Sequence, residues 1–251
     1  NSTDLTSIPY CRVSEEIIAF APGHNIEVYD LTTYSRVATL EGHTDKINAL
    51  IHMSSGFLVS ASQDKTVRIW DVSTTSLLGQ LEDSTKVVYS LARLSRKIII
   101  SGEENKVVLW DLSARATICE FEKEGKSEGS YAKQILVIDS QNFLVVYNDD
   151  SKIDYFSMQN SKFVKKKDYY SLPSPPFCLE YVNSAFNLGV CETSLVYLDK
   201  LNKEISSSAF KIIQKGAYEK ICYLNETTLV LTKRDNSICI AKLRLLSVDE
   251  E

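Results

Sequence analysis

His43, Ser60 and Asp64 carry the three groups of a nucleophilic hydrolase: a hydroxyl to attack, an imidazole to take its proton and a carboxylate to orient the ring. The same trio can instead be a buried hydrogen-bond network. The structural role is preferred here, because the trio sits inside a repeating pattern of residues. Asp149-Asp150 and Asp235-Asn236 could ligate a cation. Such residues at tight turns also bond their own backbone and need no ion to explain them. Lys165-Lys166-Lys167, with Tyr169-Tyr170 beyond, is the densest basic cluster. Aromatic residues beside basic ones suit an RNA contact, whereas lysines on an exposed edge strand block edge-to-edge association. The second role is the expectation.

Other chemistries lack their residues. The six cysteines (Cys11, Cys119, Cys178, Cys191, Cys222, Cys239) form no Cys-x-x-Cys pair, and the histidines are His24, His43 and His52. Zinc and thioredoxin-like spacings are therefore missing. Four of the cysteines sit among apolar neighbours, as in Ile-Cys119-Glu-Phe and Ile-Cys239-Ile. That is the pattern of small core residues in a reducing compartment, so a cytoplasmic or nuclear location is expected. Gly-x-Gly-x-x-Gly, Walker, His-Glu-x-x-His and Gly-x-Ser-x-Gly motifs are all missing. No enzymatic activity, metal or cofactor is expected.

The elements that must position these residues follow from periodicity. With 251 residues, 44% hydrophobic and 24% charged, the chain can bury a substantial core as one all-β domain. Its net charge of −5 argues against non-specific binding to nucleic acid or anionic membranes. No apolar run approaches the ~18 residues of a membrane span. The opening Asn1-Ser2-Thr3-Asp4 shows no signal peptide, and a fragment of a longer protein is one expectation. The clearest unit, Leu40 to Leu81, contains β-like runs at Ile47–His52, Phe57–Ser62, Thr66–Val72 and Ser76–Leu81, separated by turn residues. The residue after the third-strand aromatic recurs as Asp30, Asp71 and Asp111, then in weaker copies as Ser157, Asp199 and Lys242. The intervals are 41, 40, 46, 42 and 43 residues, the length of a four-stranded blade. Six blades are expected, the fourth with an outer strand at Phe163–Tyr170 and the fifth with one at Glu204–Ile213. Blade six ends after three strands.

Leu40-Glu41-Gly42-His43 followed by Ser60-Ala61-Ser62-Gln63-Asp64-Lys65-Thr66-Val67-Arg68-Ile69-Trp70-Asp71 resembles one complete repeat of the WD-repeat (WD40) β-propeller family. Leu81–Asp111 resembles a second copy and Asn25–Asp30 part of another; from Ala132 onward only period and strand pattern persist. The resemblance implies a structural tetrad of His43, Ser60 (or Ser62), Asp64 and Trp70. In it the hydroxyl would accept from one imidazole nitrogen while Asp64 holds the other. Blade three is expected to lack the tetrad, with Ser84 in place of His43 and Glu104 or Asn105 near the Asp64 position.

The family resemblance also implies partner binding on the narrow end of a ring of six or seven blades, closed or open. Asn1–Thr6 could supply the closing strand. By register, Asp45, Lys46, Gln63, Lys65, Lys86, Glu103, Asn105, Tyr131 and Tyr218 fall on that face. The function implied is a non-catalytic scaffold or adaptor holding protein partners in a eukaryotic multiprotein complex. Alternatives are the substrate-recognition propeller of a ubiquitin ligase and an RNA-associated factor in ribosome or RNA processing. The polar insertion Lys123–Tyr131 is either a specificity loop or a flexible surface loop.

Overall fold

The computed structural model describes residues 8–53, 56–81, 86–160, 162–166, 170–172, 176, 178–181, 186–191, 194–199, 210–215, 218–225, 228–233 and 238–242; residues 170, 171 and those from 178 on are described as backbone. Every regular element among them is a β-strand. Two compact units divide the chain, Asn1–Ser140 and Gln141–Glu251.

The first unit begins with three four-stranded antiparallel meanders. Blade one is β1 (Tyr10–Arg12), β2 (Ile17–Phe20), β3 (Ile26–Asp30) and β4 (Ser35–Leu40). Blade two is β5 (Ile47–His52), β6 (Phe57–Ser62), β7 (Val67–Asp71) and β8 (Ser76–Leu81). Blade three is β9 (Val88–Arg93), β10 (Ile98–Glu103), β11 (Lys106–Asp111) and β12 (Ala116–Glu122). The unit closes on β13 (Ala132–Asp139), which packs against β9 through the Ser90 hydroxyl donating to the Ala132 carbonyl at 2.7 Å.

Alternation along β6 and β7 explains the order of the blades. Leu58 and Trp70 point into a core shared with blade one, among Ala19, Ile26, Val28 and Leu40. Val59, Ala61 and Ile69 point the other way, into a core with Val88, Ile99, Val108 and Trp110 of blade three. Successive side chains of a strand face opposite sides, so a strand buried on both faces reads as the near-continuous apolar run Phe57-Leu58-Val59-Ser60-Ala61. Trp70 and Trp110 are each 1% exposed and face the preceding blade. At roughly 200 Å² buried per indole and ~25 cal/mol per Å², each contributes at most about 5 kcal/mol.

The aspartate closing each third strand builds the turn that follows. Asp71 Oδ1 accepts from the Ser73 amide at 2.8 Å and the Thr74 amide at 3.3 Å. Asp30 and Asp111 do the same for the 32–33 and 113–114 amides. The Thr32 and Ser73 hydroxyls at Asp30 and Asp71, with the turn amides at all three, hold the carboxyls below the usual range. Each turn then passes through a left-handed residue, Tyr34, Thr75 or Arg115. A bulge follows in each outer strand, where the pairing register slips at Val28/Tyr29, Ile69/Trp70 and Leu109/Trp110.

The second unit contains β14 (Asn142–Tyr147), β15 (Lys152–Gln159), β16 (Lys162–Lys165) and β17 (Tyr170–Ser171), the last two both pairing with β15. Phe143 stacks on Phe156 with centroids 4.8 Å apart at the centre of this sheet. A four-stranded sheet follows: β18 (Cys178–Tyr181), β19 (Phe186–Cys191), β20 (Ser194–Asp199) and β21 (Phe210–Lys215). A three-stranded sheet, β22 (Tyr218–Asn225), β23 (Thr228–Lys233) and β24 (Ile238–Lys242), is the last.

Of the outer strand expected at Phe163–Tyr170, the described parts are β16 (Lys162–Lys165) and β17 (Tyr170–Ser171), both paired with β15, and residues 167–169 lie outside the described residues. The outer strand of the fifth repeat is described as β21 (Phe210–Lys215); residues 204–209 of the expected span lie outside the described residues. Asn1–Thr6, Ser84, Lys167, Tyr169 and Asp235-Asn236 lie outside the described residues.

Candidate functional site

The loop before β5 and the turn between β6 and β7 meet at one end of blade two, and the His–Ser–Asp trio joins them. His43 Nδ1 lies 2.7 Å from Asp64 Oδ2 and Nε2 lies 2.6 Å from Ser60 Oγ. The Trp70 indole N–H donates to the same Oγ at 2.8 Å. Asp64 also accepts from the Thr44 amide, the Thr66 amide and the Thr66 hydroxyl. Burial lowers the His43 pKa more than Asp64 raises it, so the ring is held neutral. Burial also works to raise the Asp64 carboxyl, yet hydrogen bonds from Thr66, His43 and Thr44 together keep it below the usual range.

A neutral ring fixes the direction of the chain. Nδ1–H donates to Asp64, and the bare Nε2 accepts the Ser60 proton, leaving Oγ to accept from Trp70. The hydroxyl was expected to accept from the imidazole, and it donates instead. Ser60 is the partner rather than Ser62, whose hydroxyl donates to the Asp45 and Lys46 carbonyls. Ser60 is fully buried and its oxygen already serves an indole, so it cannot meet a substrate carbonyl. The trio is a structural pin. Gly42 completes it: a Cβ there would collide with the Arg68 guanidinium and come within 3.1 Å of the Trp70 ring.

Blade three solves the same problem with other residues. The Trp110 indole donates to Ser101 Oγ at 2.8 Å, and that hydroxyl donates to Glu103 Oε1 at 3.3 Å. Glu103 is fully buried, with Lys106 Nζ 3.6 Å from its other oxygen; the same ammonium reaches Glu120 at 2.9 Å. Burial alone would lower the Lys106 pKa, but Glu120 and Glu103 overcome it and hold it above the ordinary lysine value. The acid that serves this network is Glu103 of β10 itself, while Glu104 and Asn105, expected near the Asp64 position, follow it in the turn to β11. That burial also removes Glu103 from the partner-facing residues.

Asp45, Lys46, Gln63, Lys65 and Lys86 are exposed at this end. Their backbone is pinned: Gln63 N donates to Lys46 O at 2.9 Å, Ile47 N to Gly23 O at 2.8 Å, and Asn48 Nδ2 to Val88 O at 2.9 Å. Lys86 pairs with Glu104 at 3.3 Å. Asn105 and Tyr131 are half-buried. Asn105 exchanges hydrogen bonds with Ser127, and Tyr131 stacks on Tyr89 at 3.9 Å. These contacts, with the Asn105 amide donating to Ser130 O and the buried Lys123 Nζ donating to Ser130 Oγ, fold the 123–131 insertion onto the blade-three turn. Tyr218 begins β22 in the second unit, described as backbone.

Lys165 is not a free surface lysine. Its Nζ lies 2.7 Å from Asp154 Oδ2, with only 17% and 9% of the two side chains exposed. Asp150 Oδ1 accepts from the Lys152 amide at 3.0 Å, a turn contact that needs no cation.

Residues 34–71 match the family model for the WD domain, G-beta repeat. The chain carries a WD repeat. Its sequence unit is offset from the structural blade: it takes β4 of blade one and β5, β6 and β7 of blade two. The tetrad lies inside that span, and the repeated four-stranded sheets fit an all-β WD-propeller plan. WD repeats in general support protein interaction and are not catalytic. No curated protein matches the chain.

Proposed function

We propose that this chain is a non-catalytic scaffold or adaptor that holds protein partners in a eukaryotic multiprotein complex, in the cytoplasm, the nucleus or both. The supporting observation is a rigid end surface. The backbone at this end of blades two and three is pinned by hydrogen bonds while Asp45, Lys46, Gln63, Lys65 and Lys86 stay exposed above it. Binding on such a platform costs little ordering of the platform itself. Exposed groups of both signs favour a protein surface over a polyanion. The RNA alternative has weaker support, because Lys165 already pairs with Asp154.

Affinity purification of the chain followed by mass spectrometry tests the proposal, repeated with Asp45→Lys and Lys86→Glu. The expected result is loss of the same partner from both variants. Retention of every partner by both would overturn this end as the binding surface.

A further inference from the structure

The opposite end of blades two and three carries a second feature that the tetrad end does not explain. A cavity of about 370 Å³ opens there between the two blades. Met53, Phe57, Ile69, Leu78 and Leu112 form its apolar wall, and Arg96, Lys97, Ser113 and Arg115 complete it. Among the described residues no carboxylate lines it, and Asp111 lies near enough to Lys97 for the lysine's charge to help lower its pKa; the chain as a whole carries a net charge of −5. Met53 and Ile69 belong to the core between the blades, so the cavity reaches into that core from solvent.

Two local devices build this site. The bulge in each outer strand leaves one extra residue, and in blades one to three it is Val37, Leu78 and Ile118, exposed by 54%, 37% and 49%. A bulge re-aims a side chain out of the sheet, and of these three only Leu78 lines the cavity. The second device is Arg115. Its guanidinium donates to the Leu78 carbonyl at 2.6 Å and lies across Gly79, where a Cβ would come within 2.7–2.9 Å of it. Glycine at 79 thus makes room for a cation fixed at the rim beside the exposed leucine. Arg96 and Lys97, both exposed, supply two more positive charges from the turn between β9 and β10. One repeat earlier the corresponding residues are Ser55, Gly56 and Thr75, all uncharged. The positive residues at 96, 97 and 115 are thus not a by-product of the repeat.

An apolar wall with Leu78 exposed at its edge, beside three cations of which Arg115 is held by the Leu78 carbonyl, matches a ligand with an apolar projection and flanking negative charge. The volume is at the small end for a binding pocket and suits one or two side chains. We infer that the cleft between blades two and three binds an acidic linear peptide of a partner protein. Its bulky aliphatic or aromatic side chain seats on Phe57, Leu78 and Leu112, and its flanking Asp or Glu residues meet Arg96, Lys97 and Arg115. This site is separate from the tetrad end and stands whether or not that end binds a partner.

Selection of a random dodecapeptide phage library on the purified chain tests the inference, with binding of synthesised winners measured by fluorescence anisotropy. Winners should pair a large apolar residue with neighbouring Asp or Glu. Their affinity should fall at least tenfold in Arg96→Glu/Lys97→Glu and in Leu78→Asp, and should be unchanged in Asp45→Lys/Lys86→Glu. The paired substitutions at 96 and 97 alter exposed residues, and thermal melts verify that each variant is folded. Failure to enrich any peptide, winners lacking acidic residues, or binding indifferent to both cleft variants would each overturn the inference. So would loss of binding only in the tetrad-end variant. Binding of sodium dodecanoate sensitive to Leu78→Asp, without any peptide, would also overturn it in favour of a free amphiphile.

Discussion

Blades two and three place a buried tryptophan on the same strand and give its indole the same serine acceptor, yet they finish the network differently. In blade two the serine leans on a neutral imidazole, which leans on Asp64 across a loop. In blade three the serine leans directly on Glu103 of its own strand, and Lys106 on the adjacent strand stands against that charge. The first arrangement ties the loop before the blade to the turn within it. The second stays inside two paired strands. What the fold requires is satisfaction of the buried indole and hydroxyl; which groups provide it is open, and the choice sets how each blade responds to pH.

The sharpest way to break this parallel is to remove the serines. Ser60→Ala strands both the Trp70 N–H and His43 Nε2, whereas Ser101→Ala strands the Trp110 N–H and a longer contact to Glu103. At about 1–3 kcal/mol per buried unsatisfied group, Ser60→Ala, with two groups stranded, should cost about 2–6 kcal/mol and Ser101→Ala, with one strong bond lost, about 1–3. Urea unfolding of the two variants measures the difference; equal losses would mean the imidazole adds nothing.

Titration separates the blades next. His43 has its folded pKa below the ordinary 6.5, so its neutral state stabilises the fold above that value and the contribution is lost as pH falls. Asp64, also lowered, adds a second loss only as pH falls below 3.8. Lys106 is raised, so its contribution is complete below 10.5 and disappears as pH rises through its higher folded value. Hydrogen exchange should therefore show β5–β7 loosening first between pH 7 and 5, and β10–β11 first above pH 10.5. His43→Gln should flatten the acid limb and leave the alkaline limb unchanged.

The smallest effect expected is from Glu103→Gln. The amide oxygen can still accept from Ser101 and Lys106 keeps Glu120, so the cost should stay near or below about 1 kcal/mol. Its mark should appear in the alkaline limb, which moves to lower pH once Lys106 loses one of its two carboxylates. A thermal melt series across pH 9–12 reads this. An unmoved alkaline limb would show that Glu103 does not hold the Lys106 charge.

Much of blade two was legible because its devices are local. Asp71 followed by polar residues at 73 and 74 encodes the turn, and the alternation from Phe57 to Ser62 encodes a strand buried on both faces. Glu103 was misplaced by the same local logic. Acidic residues at a turn read as exposed, and nothing in Glu103-Glu104-Asn105 marks the first of them as the one that alternation turns inward. The pairing of Lys165 with Asp154 was illegible for a similar reason, since it depends on β16 lying beside β15.

By itself, the sequence determined the blade repeat, the all-β class and the residues of one complete tetrad, because each is written in spacing along a strand or across one turn. Tertiary structure alone decided the direction of the Ser60 hydroxyl, through the burial that keeps His43 neutral. It also decided that Glu103 is a core acid and that Leu78, Arg96, Lys97 and Arg115 share one cleft. These residues come from different strands and turns of two blades. Their meeting depends on how neighbouring sheets pack, and spacing within a single repeat carries no record of that.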